Sequence, residues 1–159
     1  MSNTLAIESA VRNLIARSCL LLDEEKFDPW LGLWTPVMHY AIHAYSPEIR
    51  KDMTWLDLDR PQMTQLLAGL RTHERDPGAL FRQPAVIEVR IDEAAQRANA
   101  ITNVLVVRTS LHGESSLFAA LRYHDMIALG PDGPLLEERS VRLSTRVLMS
   151  DSGGSHVPL

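Results

Sequence analysis

From Pro84 onward, turn signals cut the chain into four β-rich runs, and no other feature limits the possible folds as much. The runs are AVIEVRI (85–91), ANAITNVLVVRTS (98–110), SLFAALRYHDMIAL (116–129) and LLEERSVRLSTRVLM (135–149). Their dividers, DEAAQR, LHGES and GPDGP, are rich in residues that favour turns. Links this short allow antiparallel neighbours but leave no room for the helical crossover of a parallel βαβ unit. In the last run Val141, Leu143 and Val147 share one side, and Arg142, Ser144 and Arg146 the other. The expectation is a meander with one apolar face.

Before that point the period is mostly helical. Ile7, Val11, Leu14, Ser18 and Leu21 step by four and three, with Ile15 and Leu22 widening the stripe, so residues 4–22 read as an amphipathic helix. Asn3 or Thr4 is placed to cap it, and Glu8 to meet the positive end of its dipole. Cys19 lies beside the stripe as a small buried apolar residue. Asp28 as N-cap and Pro29 at the first helical position signal a second, short helix carrying Trp30, Leu31, Leu33 and Trp34. VMHYAIHAY (37–45) alternates like a strand, with Met38, Tyr40, Ile42 and Ala44 on one face and His39 and His43 on the other. MTWLDL reads as a short strand. A third helix starts at DRPQ, with Asp59 or Arg60 near the cap, and runs through Met63, Leu66, Leu67 and Leu70 toward His73.

Helices followed by a long meander make an α+β domain in which a curved, mainly antiparallel sheet wraps the helices. We expect one domain over residues 1–159: a helical first half (1–83), the meander (84–149) and a tail (150–159) that turns apolar again at Val157, Pro158 and Leu159.

Composition narrows the function. A net charge of −4 disfavours nucleic acid and anionic membrane surfaces, which select clustered Lys and Arg. No run of about 18 apolar residues is present, and MSNTLAIESAV lacks the basic start and apolar block of a signal peptide. One cysteine allows no internal disulfide, in keeping with a reducing cytoplasm.

The chemistry-bearing residues do not form a recognised motif. On a strand, His39 and His43 are about 13 Å apart, whereas two ligands of one ion sit about 3 Å apart. His73, His112, His124 and His156 are scattered, and none falls in an HExxH or Cys/His pattern. A single cysteine excludes a Cys-ligated iron–sulfur cluster within the chain. HGESS has a glycine before Ser115 but lacks the second glycine of a nucleophile elbow, and it sits in a hairpin turn. Acid–base chemistry is the open alternative, since a sheet closed by helices forms a pocket that Asp28, His39, Tyr40, His73, Tyr123, His124 and Asp125 can line. An isomerase or dehydratase needs a carboxylate or His in reach of the substrate proton and a donor for the oxyanion. His39 and Tyr40 point to opposite strand faces, as do His124 and Asp125, so neither pair is a ready dyad. A stand-alone enzyme of this kind and a small-molecule-binding domain are the two alternatives to a structural role. Trp30, Trp34 and Trp55 either cover the open end of the core or anchor an interface.

LLDEEKFDPWLGLWTPVMHY (21–40) resembles the N-terminal signature of the small (β) subunits of Rieske-type aromatic-ring-hydroxylating dioxygenases. Leu21, Leu22, Asp23, Phe27, Asp28, Trp30, Leu31, Leu33 and Tyr40 match that signature in order. LFAALRYHDMIALGPDGPLLEERSVRL (117–143), with Arg139, Val141 and Leu143, is similar to the paired final strands of those subunits, and SHVPL to the ending of some. Two departures bear on the subgroup. The proline that often follows the first-strand aromatic is delayed to Pro47, and FRQP keeps Arg82 but has Gln83 in place of a common His. The resemblance implies a cone-shaped domain like nuclear transport factor 2 and an α3β3 hexamer with a β trimer. It places the Rieske [2Fe-2S] cluster and mononuclear iron in the large α subunit, with electrons derived from NAD(P)H and O2 added to an aromatic compound in catabolism. For this chain it implies a structural role, with no catalytic, cofactor-binding or metal-binding residue.

Overall fold

The computed structural model describes residues 2–70, 78–145 and 158–159. In chain order these form α1 (Ser2–Asp23), α2 (Phe27–Leu31), β1 (Trp34–Ser46), β2 (Lys51–Asp59), α3 (Arg60–Leu70), β3 (Ala79–Asp92), β4 (Arg97–Thr109), β5 (Ser115–Gly130) and β6 (Gly133–Leu143). The six strands make one sheet in the order β2-β1-β6-β5-β4-β3, antiparallel throughout except for the parallel pair β1 and β6. Register shifts at Ile42/His43, Val86/Glu88, Val106/Val107 and Met126/Ile127 break the ladders locally. Such bulges bend and twist strands, which lets the sheet curl around the helices as expected of a cone.

The apolar stripe of α1 is the heart of the core: Val11, Leu14, Ile15, Cys19, Leu21 and Leu22 are all buried. The helix begins at Ser2, so Asn3 and Thr4 lie inside its first turn rather than capping it. Glu8 stands beyond that turn and pairs with Arg12 at 2.8 Å, an i,i+4 contact instead of a dipole contact. The C-terminus closes in a Schellman arrangement without glycine. Lys26 N–H donates to Leu21 O at 2.9 Å, Glu25 N–H donates to Leu22 O at 3.1 Å, and Glu25 takes a φ of 54°. This turn delivers the chain directly into α2.

Three local expectations are corrected by α2 and its neighbours. The N-cap of α2 is Lys26, with no side-chain cap bond, and Asp28 lies one residue inside the helix and exposed. Phe27 enters the core and draws the helix start forward, which displaces Asp28 from the cap. The helix ends at Leu31, so Leu33 and Trp34 are not on it; Trp34 opens β1. The boundary expected at 84 falls inside β3, which starts at Ala79. Pro84 is tolerated there because β3 is an edge strand, with β4 as its one partner.

Other expectations hold. Met38, Tyr40, Ile42 and Ala44 are buried along β1, while His39 is exposed and His43 half-buried on the opposite face. Val141 and Leu143 are buried and Arg142 and Ser144 exposed. Arg146, Val147, His73, the first three residues of the RDPG stop (75–77) and residues 150–157 of the tail lie outside the described residues. Gly133, at φ 114°, closes the β5–β6 turn after Pro131 and Asp132 in a conformation that L side chains rarely adopt.

The start of α3 is a reciprocal capping box. Gln62 N–H donates to Asp59 Oδ1 at 2.9 Å, and Asp59 N–H donates to Gln62 Oε1 at 2.9 Å. Met63, Leu67 and Leu70 then carry α3 into the core. Asp59→Ala removes the acceptor and is expected to cost about 1 kcal/mol. A drop in the urea midpoint with an unchanged slope checks it; an unchanged midpoint would mean that the box contributes nothing.

Candidate functional site

Two places collect polar groups: the interior of the cone and a groove on the outward face of the sheet. The interior is built by inward-phase residues of separate strands. Asp125 sits between buried Tyr123 and Ile127 on β5, and the register places it opposite Arg139 on β6. Arg139 Nε donates to Asp125 Oδ1 at 2.7 Å and Nη2 to Oδ2 at 2.8 Å, a bidentate pair with both side chains fully buried. Its Nη1 donates to Ser18 Oγ at 3.2 Å, and Ser18 Oγ donates to Ile15 O at 2.7 Å. The one polar residue in the α1 stripe is thus the link between helix and ion pair. The guanidinium carbon lies 3.8 Å from the Tyr123 ring centroid and 5.9 Å from that of Trp34. Burial opposes the charge on Arg139, but the Asp125 carboxylate outweighs it, and the guanidinium holds its proton more tightly than usual.

A second charge pair lies nearby. Arg82 Nη1 donates to Asp23 Oδ1 at 2.8 Å, and its backbone N–H reaches the same carboxylate at 3.1 Å and 3.2 Å. Arg82 Nη2 donates to Pro158 O at 2.7 Å. Residue 159 completes the interior: Tyr40 and Tyr123 hydroxyls donate to Leu159 O at 3.0 Å and 2.8 Å, and Leu159 N–H donates to Tyr40 Oη at 2.9 Å. Burial pushes the Tyr40 phenol up to about 12, and drives Tyr123 well above its ordinary value. Burial also raises the Cys19 thiol, whose Sγ lies 4.0 Å from Tyr123 Oη, so the thiolate a nucleophile needs is disfavoured.

These contacts brace the domain and leave little for reaction chemistry. Both Asp125 oxygens are held by Arg139, and with no exposed surface the carboxylate cannot reach a substrate proton. Both phenols are donors already engaged, and burial disfavours their ionisation. Trp30 and Trp34 are buried as well, with ring centroids 5.4 Å apart at 62° and Tyr40 6.2 Å from each. They close the core; Trp55 stands apart, 42% exposed on the edge strand β2.

On the outward face, His39, His43, His124, Arg90, Met126 and Glu138 line an open groove of about 480 Å³. His39 Nε2 lies 2.6 Å from Asp57 Oδ1, and His43 Nδ1 lies 3.1 Å from Thr54 Oγ1. His39–Asp57 is an exposed cross-strand contact of the kind worth little in water. Partial burial, then the Arg142 and Arg122 charges, lower the pKa of His124. Among the described residues, no three His, Cys, Asp or Glu side chains are grouped so as to hold a metal ion.

The structure therefore brings Tyr40, Tyr123 and Asp125 together and keeps Asp28, His39 and His124 away from them. His73 lies outside the described residues. The resemblance had singled out Arg82 and Arg139, but sequence reading did not place them as buried charges with acidic partners. The signal was present, because Arg139 keeps the inward phase of Val141 and Leu143, and Asp125 that of Tyr123 and Ile127. Two opposite charges on the inward phase of adjacent strands are tolerable only as a pair.

Comparison with known proteins adds to this geometry. Residues 3–139 match the model of the SnoaL-like domain. The β subunit of the methanesulfonate monooxygenase hydroxylase of Methylosulfonomonas methylovora is 34% identical over 158 residues, covering 94% of this chain and 86% of that protein. The β subunit of 2-aminobenzenesulfonate 2,3-dioxygenase of Alcaligenes sp. is 32% identical over 139 residues, covering 87% and 90%. Among solved structures, the β subunit of a candidate aromatic-ring-hydroxylating dioxygenase from Novosphingobium aromaticivorans superposes with a TM-score of 0.79 at 17% identity, covering all of both chains. At that identity the likeness concerns the fold alone.

Proposed function

The chain belongs to the SnoaL-like domain family, among the β subunits of hydroxylating oxygenases, and from that premise we propose that it is the non-catalytic assembly subunit of such an enzyme. Its partner is a large α subunit, in an α3β3 arrangement around a β trimer in the cytoplasm. The Rieske [2Fe-2S] cluster and the mononuclear iron belong to that partner. Substrate choice, whether an aromatic ring or a sulfonated compound like those that name the relatives, then also lies with the partner. The catalytic, cofactor-binding and metal-binding residues assigned to this chain are none.

The observation that carries this reading is the filled cone. A stand-alone isomerase or dehydratase needs an open pocket with a free carboxylate or His beside a donor. Here Asp125 is bound at both oxygens, and Tyr40 and Tyr123 are occupied by Leu159. Further support comes from the surface, where Phe81, Val107 and Leu117 lie side by side across β3, β4 and β5. Phe81 is 55% and Leu117 57% exposed, with Leu105 close by at 49%. Large apolar side chains grouped on a sheet face are costly to leave in water and suit burial against another subunit.

Purification of the tagged chain from its native cells, with iron analysis and a visible spectrum of the eluate, tests the proposal. The expected result is co-purification of a larger iron protein with the broad absorbance of a Rieske centre. Recovery of the chain alone and free of iron, from cells that express it strongly, would overturn it.

A further inference from the structure

The contacts of Pro158 and Leu159 are those of a ligand in a site. Four hydrogen bonds hold the dipeptide, and each joins one of its main-chain atoms to a side chain of the body: Tyr40 twice, Tyr123 and Arg82 once each. The three side chains come from β1, β5 and β3, which are distant in sequence. Leu159 is 2% exposed among the core residues, so an apolar lodging for a branched aliphatic group adjoins the donors. Vacated, the site would leave two buried phenol hydroxyls without their oxygen acceptor, a state that folded proteins avoid. Arg82 Nε, buried and without a hydrogen-bond partner among the described residues, is a further donor the dipeptide does not use.

We infer that the cleft between Tyr40, Tyr123 and Arg82 is a ligand-binding site that Pro158–Leu159 occupies as an intramolecular ligand. The chemical class it accepts is a short acyl amino acid or similar carbonyl compound. One carboxyl oxygen of such a compound lies between the two phenols, its amide N–H faces Tyr40, the preceding carbonyl reaches Arg82, and a branched aliphatic group is buried beside them. This goes beyond the assembly role and does not depend on it.

The test uses the chain shortened to end at Val157, titrated calorimetrically with N-acetyl-L-prolyl-L-leucine, beside the intact chain. The shortened chain is expected to bind the compound and to melt at a higher temperature with it. The intact chain, whose own dipeptide competes at high effective concentration, is expected to bind at least about 100-fold more weakly. In the shortened chain Tyr40→Phe removes two buried hydrogen bonds and Tyr123→Phe one, and each substitution is expected to weaken binding by at least about tenfold. If the shortened chain is unfolded by itself, recovery of its native ellipticity with millimolar compound supports the inference, and failure to recover overturns it. Absence of binding to a folded shortened chain, or an affinity indifferent to both Tyr substitutions, also overturns it.

Discussion

Asp125→Ala is expected to cost about 3–5 kcal/mol, because it leaves the Arg139 guanidinium buried without its counter-charge. Against a typical total of about 5–15 kcal/mol for a domain, this places much of the chain at the edge of unfolding. Arg139 cannot escape by losing its proton, since guanidinium stays charged. Nor can it easily reach water, as the side chain is fully buried between Tyr123, Trp34 and Ser18. Losing one partner therefore costs more than the pair contributes. The double substitution Asp125→Leu with Arg139→Met removes both charges and is expected to recover most of the loss, since well-packed apolar replacements of buried pairs are often neutral or better. Urea unfolding of the two variants measures this. If Asp125→Ala unfolds at the midpoint of the unaltered chain, the pair does not hold the fold.

Trp30→Ala and Trp55→Ala are expected to separate the two roles open to the tryptophans. Trp30 is fully buried and packs edge-on against Trp34 and Tyr40, so its loss leaves a large cavity and costs about 3–5 kcal/mol. Trp55 lies on the exposed edge strand, and its replacement is expected to move stability by no more than about 0.5 kcal/mol. If Trp55 anchors an interface, its replacement is expected to weaken subunit association by about 30-fold, the size of a ~2 kcal/mol hot spot. Sedimentation of the assembled protein, beside urea unfolding of each variant, reads both effects. Intact assembly with full activity in Trp55→Ala would remove the case for Trp55 as an anchor.

The element types were legible because their signals are local. The step of Val11, Leu14, Ser18 and Leu21 prescribes a helix with one buried face, and the alternation of Met38, Tyr40, Ile42 and Ala44 prescribes a strand. Errors arose where two local signals competed. Asp28-Pro29 looks like a helix start, but Phe27 has an apolar side chain to bury, and the helix begins with it instead. Pro84 looks like a boundary, but an edge strand accepts proline, so β3 runs through it.

The sequence by itself determined the order and type of most helices and strands, the apolar faces of α1 and β1, and that β3 to β6 run antiparallel through short turns. Tertiary structure alone decided the parallel pairing of β1 with β6, whose partners Tyr40 and Arg139 lie far apart in the chain. It likewise decided that Arg139 meets Ser18 and Asp125, that Arg82 meets Asp23, and that Leu159 ends between Tyr40 and Tyr123. The physical reason is range. Backbone propensity and side-chain period act over a few residues and leave their mark in every short window. The partner of a buried charge or phenol is instead fixed by which strands lie side by side once the core has closed.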